Sequence, residues 1–158
     1  MAPTPHETFM RRAIELAVAN VADGGGPFGA LVVRRGEVIA EGVNRVTAGN
    51  DPTAHAEIEA IRAACARLDA FHLPGCALYT SCEPCPMCLG AAYWARLDRI
   101  WYAAHRDAAG GADFLDERLY RELCLPPAER TLPIERVLAE ESDRPFAAWR
   151  RQADQVDY

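Results

Sequence analysis

What this chain can fold into is limited most by two short motifs, HAE at 55–57 and PCPMC at 84–88. Each stands where a tight turn gives way to a predicted helix. Cys85 and Cys88, spaced i and i+3, share one face of the helix expected from about 85 to 95. A cation can bridge two thiolates so placed. A helix N-terminus favours the thiolate that ligation requires, and Pro84 and Pro86 suit a first helical turn. His55 supplies a third donor. One imidazole and two thiolates make a zinc ligand set, and three protein ligands leave a fourth position for water, as catalytic sites do. Each motif is therefore half of a site.

Glu57 follows His55 by two residues, a spacing that on a regular helix turns its side chain well away from the histidine. It need not be a ligand, yet both side chains could enter one pocket from opposite flanks. A carboxylate beside activated water can take its proton and pass it to a leaving group. Two other chemistries fit less well. A ferredoxin-type cluster running through Cys82, Cys85 and Cys88 would continue with Cys-Pro, and position 92 is alanine. A thioredoxin-like redox pair would leave His55 and Glu57 unexplained. A closed four-ligand zinc site with Cys82 as the fourth donor stays open as a rival. Cys65 and Cys76 read as core cysteines.

Along the chain, 6–21 reads as a helix carrying Met10, Ile14, Ala17, Val18 and Val21 on one side, with a Thr4/Glu7 capping box around Pro5. FGALVVRRGEVIAEGVNRV reads as a hairpin turning at 34–37. A second helix is expected from Asp51 as N-cap and Pro52 as first helical residue, with Ala54, Ile58, Ile61, Cys65 and Leu68 as its apolar stripe. CALYT at 76–80 and RIWYAA at 99–104 read as strands on either side of the third helix. Residues 107–116 read as a loop, 116–123 as a helix, 134–139 as a strand, and 142 to the end as a last helix. Strands alternating with helices indicate an α/β sheet with helices on its faces.

The chain of 158 residues suits one domain with a real core. Its net charge of −6 comes with no lysine and no basic run longer than a pair of arginines. That balance favours a small neutral or weakly charged substrate over a polyanion or an anionic membrane. Glu7, Arg11, Arg12 and Glu15 interrupt any signal-peptide core, so a cytoplasmic protein with reduced thiols is expected.

The order H-x-E … P-C-x-x-C is the signature of zinc-dependent base deaminases. On GGPFGALVV, NDPTAHAEIEAIRAAC, LYTSCEPCPMCLGAAYWAR, PFAAWR and the terminal tyrosine, the chain resembles the cytidine deaminase superfamily, and within it the small bacterial guanine deaminases. The resemblance implies one zinc-dependent deaminase domain over 1–158, a three-layer α/β/α sandwich about a central mixed five-stranded sheet. It implies one Zn2+ per subunit on His55, Cys85 and Cys88, and hydrolysis of guanine to xanthine and ammonia by attack at C2 of the purine. Glu57 would carry the proton, with Asp116 associated in proton transfer. Asn44, Phe28, Ala56, Trp94 and Tyr158 would bind the purine base. Asn44 suits that role because its amide offers both a donor and an acceptor. Family members are homodimers, so residues 142–158, with Phe146, Trp149 and Tyr158, would cross to the partner subunit. Deaminases of tRNA adenosine, cytosine, guanosine or an aminotriazine such as ammeline are alternatives inside the superfamily. A non-catalytic zinc-stabilised interaction module is the alternative outside it.

Overall fold

The structure is a computed structural model that describes residues 3–110 and 116–156, and all of their side chains except those of 109, 110 and 116. Two compact units divide it, Met1–Tyr120 and Arg121–Tyr158.

The first unit opens with α1 (Pro5–Ala22). Thr4 and Glu7 form the expected reciprocal box, Glu7 N–H to Thr4 Oγ1 at 3.3 Å and Thr4 N–H to Glu7 Oε2 at 2.6 Å. Then come β1 (Gly29–Arg34), β2 (Glu37–Val43), a single turn α2 (Val46–Gly49), α3 (Ala56–Leu68), β3 (Cys76–Cys82), α4 (Pro86–Trp94), β4 (Arg99–Ala104), a short α5 (Arg106–Gly110) and α6 (Asp116–Cys124), which runs into the second unit. The β1–β2 connection is two residues long, Arg35 (φ 51°) and Gly36 (φ 80°). Positive φ at both positions is what a type I′ hairpin demands, and it matches the twist of the strands.

The sheet order is β2-β1-β3-β4, antiparallel except for the parallel pair β3–β4. Alternation along the central strands sends side chains to two cores. Leu31, Val33 and Tyr79 pack with Ala13, Phe9 and Met10 of α1. Ala30, Val32 and Leu78 pack with Ala56, Ala60, Ile61 and Ala64 of α3 and Ala92 of α4. Helices on both faces of a mixed sheet make three layers, as expected. Each fully buried Leu31 or Leu78 contributes about 1.5–3 kcal/mol. The small residues matter as much: a Cβ at Gly42 would stand 2.2 Å from the Ala56 carbonyl oxygen, so only glycine lets β2 touch the start of α3.

Four strands are assigned among the described residues, not five. Residues 134–138 run without regular structure and lead into a 3-10 turn, Ala139–Glu141, because their backbone meets no neighbouring strand. The expected helix from 142 to the end is confined to α7 (Arg144–Trp149). In place of a loop over 107–116, α5 occupies its first part. The second unit is held locally: Thr131 N–H donates to Glu122 Oε2 at 2.7 Å, and Arg150 Nη2 to Asp143 at 3.0 Å. None of its described residues is buried.

Candidate active site

Both ligand-bearing helices begin later than their sequences suggest. The Asp51-Pro52 signal is spent on a turn in which Asp51 Oδ1 accepts from Thr53 N–H at 2.8 Å and from its hydroxyl at 2.7 Å. α3 then starts at Ala56 with His55 as its N-cap, extended at φ −71°, ψ 155°. α4 starts at Pro86 with Cys85 as its N-cap, at φ −66°, ψ 167°. The helical-spacing arguments are corrected accordingly. His55 and Glu57 are not separated by two helical steps, nor do Cys85 and Cys88 lie on one helix face. The extended caps swing His55 and Cys85 inward instead. Each cap carbonyl accepts the first helical bond, from Glu59 N–H and Leu89 N–H at 2.9 Å.

The three donor atoms converge. Sγ of Cys85 and Sγ of Cys88 are 3.6 Å apart, and His55 Nδ1 lies 3.6 Å from the first and 3.5 Å from the second. A tetrahedral zinc bonded at about 2.3 Å to sulfur and about 2.0 Å to nitrogen needs edges of roughly 3.8 Å between sulfurs and 3.6 Å between sulfur and nitrogen. The residues fit the ion. Among the described residues the group has these three members; Cys82 is not one of them. The two thiols differ in proton affinity. Cys85 is pulled down to about 4, first by its hydrogen bond with Cys88 and then, against burial, by His55. Cys88 is pushed up by the same bond and by burial.

Glu57 is buried with its carboxylate divided between two partners. Thr80 Oγ1 donates to Oε1 at 3.1 Å, and Cys88 Sγ lies 3.5 Å from Oε2. Burial raises its proton affinity, while its own backbone N–H and the Thr80 hydroxyl oppose that rise. A pocket of about 210 Å³ opens beside the group, lined by Phe28, Asn44, His55, Glu57, Glu83 and Cys85 among others. Cys82, which is not a member of the donor group, stands on the wall of this pocket.

Asn44 follows β2, and its Oδ1 accepts from Val46 N–H at 3.3 Å, which leaves its NH2 for the pocket. Behind it, Asn20 Nδ2 donates to the carbonyls of Gly26 and Asn44 at 2.8 and 2.9 Å. The structure does not bring every expected residue here. Ala56 is fully buried in the core below α3 and is not part of the lining. Trp94, two-thirds exposed at the end of α4, is not part of it either, because it faces outward from the helix that carries Cys88. The Asp116 side chain and Tyr158 lie outside what is described. Sequence reasoning missed Asn20 and Thr80, whose signal is only a polar residue at a buried position of an otherwise apolar pattern.

Comparison with known proteins now has a geometry to stand beside. The family model for the cytidine and deoxycytidylate deaminase zinc-binding region matches residues 3–104. Guanine deaminase of Bacillus subtilis (strain 168) is 54% identical over 97% of this chain and 99% of its own length. The X-ray structure of guanine deaminase from Bacillus subtilis matches with a TM-score of 0.94 at 54% identity, over 97% of this chain and 98% of that one. A tRNA-specific adenosine deaminase of the same strain is 34% identical over 94% of this chain and 91% of its own length.

Proposed function

We propose that this chain, which belongs to the cytidine and deoxycytidylate deaminase family, is a zinc-dependent hydrolase that converts guanine and water to xanthine and ammonia. The observation that carries the reading is a buried carboxylate beside a three-donor metal group that opens onto a pocket of small-molecule size. His55, Cys85 and Cys88 hold the ion. Zinc in that position supplies the Lewis acidity that brings the deprotonation of water into the neutral range.

The rest is the work of this chain. Asn44 presents its NH2 to the edge of the base, and Phe28 covers the ring. Glu57 Oε2 takes the proton of the attacking water and delivers it to the ring nitrogen beside C2. Glu57 then takes the proton of the hydroxyl now on C2 and passes it to the exocyclic amine; as the C2–N bond breaks the amine leaves as ammonia and the C–O bond remains as the carbonyl of xanthine. Burial suits Glu57 to both halves because it lifts the proton affinity of the carboxylate. By resemblance, Asp116 and Tyr158 complete the pocket.

The protein acts on free base in the cytoplasm as part of purine metabolism, as a homodimer with 142–158 exchanged between subunits. None of the six cysteines is in a disulfide, and no helix among the described residues is long and apolar enough to cross a membrane. Leu132, Ile134, Val137 and Phe146 of the second unit are exposed, as are Leu89, Tyr93 and Trp94 of α4. Apolar surface of that extent favours association. Sedimentation should therefore give twice the chain mass, and a monomer would remove the exchange. Ammonia release from guanine, compared with adenosine in a tRNA loop, cytosine, guanosine and ammeline, tests the substrate. Turnover of the tRNA but not of guanine would overturn the assignment.

A further inference from the structure

Thr80 is the residue whose identity the fold alone does not explain. It sits on central strand β3, paired with Ala30 of β1 and Tyr102 of β4. Its side chain is 1% exposed, and its alternation partner Leu78 belongs to the apolar core beneath α3. Valine has nearly the same shape and would suit that core. A hydroxyl buried there needs a partner, and the partner is the Oε1 atom of Glu57.

The consequence lies in which oxygen remains. Oε1 is occupied by a donor on a central strand paired on both sides, while Oε2 faces Cys88 and the metal group. A carbonyl-like oxygen accepts from a hydroxyl as an ionised one does, so the bond to Oε1 persists whether or not Oε2 carries a proton. We infer that Thr80 is a positioning residue for Glu57, anchoring Oε1 so that Oε2 stays aimed at the reacting atoms throughout the cycle. This rests on the reading of Glu57 as proton carrier. Thr80 does not line the pocket, so changing it leaves the surface that meets the base intact.

The test uses the zinc-loaded enzyme and the pair Thr80→Val and Thr80→Ser. The valine variant should lose about ten- to a hundred-fold in kcat with KM for guanine within about two-fold and zinc content unchanged. The serine variant should recover kcat to within about three-fold of the parent. Equal loss in both variants, an unchanged kcat in Thr80→Val, or a loss confined to KM or zinc content overturns the inference. In a Glu57→Gln background, Thr80→Val should cost nothing further, since both act through one carboxylate; additive losses overturn it. A readout without turnover comes from infrared difference spectra of the zinc-free protein against Glu57→Gln. The Glu57 carboxylate band should move in Thr80→Val and stay in Thr80→Ser, and an unmoved band overturns the inference. Should valine not fold, Thr80→Ala takes its place in each comparison. A Glu57→Gln enzyme with parental turnover would sink the role of Glu57 itself, whereas an inactive Glu57→Gln beside a fully active Thr80→Val sinks only that of Thr80.

Discussion

Helix α1 and the pair α3 and α4 begin in opposite ways. α1 closes its first turn with its own side chains, Thr4 and Glu7 satisfying each other's backbone N–H groups. α3 and α4 place His55 and Cys85 at the corresponding position, and neither makes a side-chain capping bond. A good N-cap contributes about 1 kcal/mol over a poor one, so both metal-bearing helices forgo that stabilisation. They gain two extended residues whose side chains turn inward to meet Cys88. One start serves the helix; the other two serve a shared ion that no single helix could hold.

The most severe way to break that contrast is to remove a donor. His55→Ala or Cys88→Ala is expected to lose bound zinc and all measurable release of ammonia, checked by metal analysis beside the assay. The neighbouring Glu57→Gln separates holding the ion from using it. Zinc content should stay stoichiometric while kcat falls about 10²–10⁴-fold. A variant that lost zinc would make Glu57 a ligand, contrary to its place beside the three-donor group.

Chelation sharpens the same contrast without mutation. In the zinc-free protein the first turns of α3 and α4 lose what joins their caps, whereas α1 keeps its box. Amide exchange at 56–59 and 87–89 should accelerate about ten-fold or more, with 6–8 unchanged. Uniform acceleration would mean that the ion holds the whole fold and not two helix ends. Zinc uptake should also release protons and weaken as pH falls, because the Cys85 and Cys88 pair must surrender a proton to bind. Calorimetry in buffers of different ionisation enthalpy counts those protons.

The contrast also explains what the sequence could disclose. The α1 box was legible in Thr4 and Glu7 because its chemistry is complete within four residues. The strand in GALVV was legible because a short apolar run bounded by turns suits a strand buried on both faces. The ligand set was legible because His and Cys types and order encode it. The start of α3 was not, since Asp51 and Pro52 satisfy a capping signature equally well as a local turn, and only tertiary contact with β2 at Gly42 decides. The strand expected at 134–139 failed for a related reason: apolar residues make a strand only when another strand accepts their backbone. Thr80 was illegible because its partner lies 23 residues away in sequence, and Asn20 because it ties a nearby loop carbonyl to one 24 residues away.

The smallest expected effect lies at the self-capped end. Thr4→Ala removes the Oγ1 acceptor of Glu7 N–H and should lower stability by about 1 kcal/mol, with zinc content and kcat unchanged. Acid should narrow that difference. The Glu7 carboxyl lies below its ordinary value of 4.5, chiefly because it accepts the Thr4 backbone N–H and then through the Thr4 side chain. A carboxylate depressed on folding stabilises fully above its unfolded value and loses that contribution as pH falls through the folded one. Parent and Thr4→Ala denaturant midpoints should thus differ most above pH 4.5 and converge below it, because the part of the Glu7 depression that the Thr4 side chain supplies exists only in the parent and is lost as Glu7 takes up a proton. A Thr4→Ala difference that stayed constant across that range would show the hydroxyl acting alone, with α1 capped by Thr4 and not by the reciprocal pair.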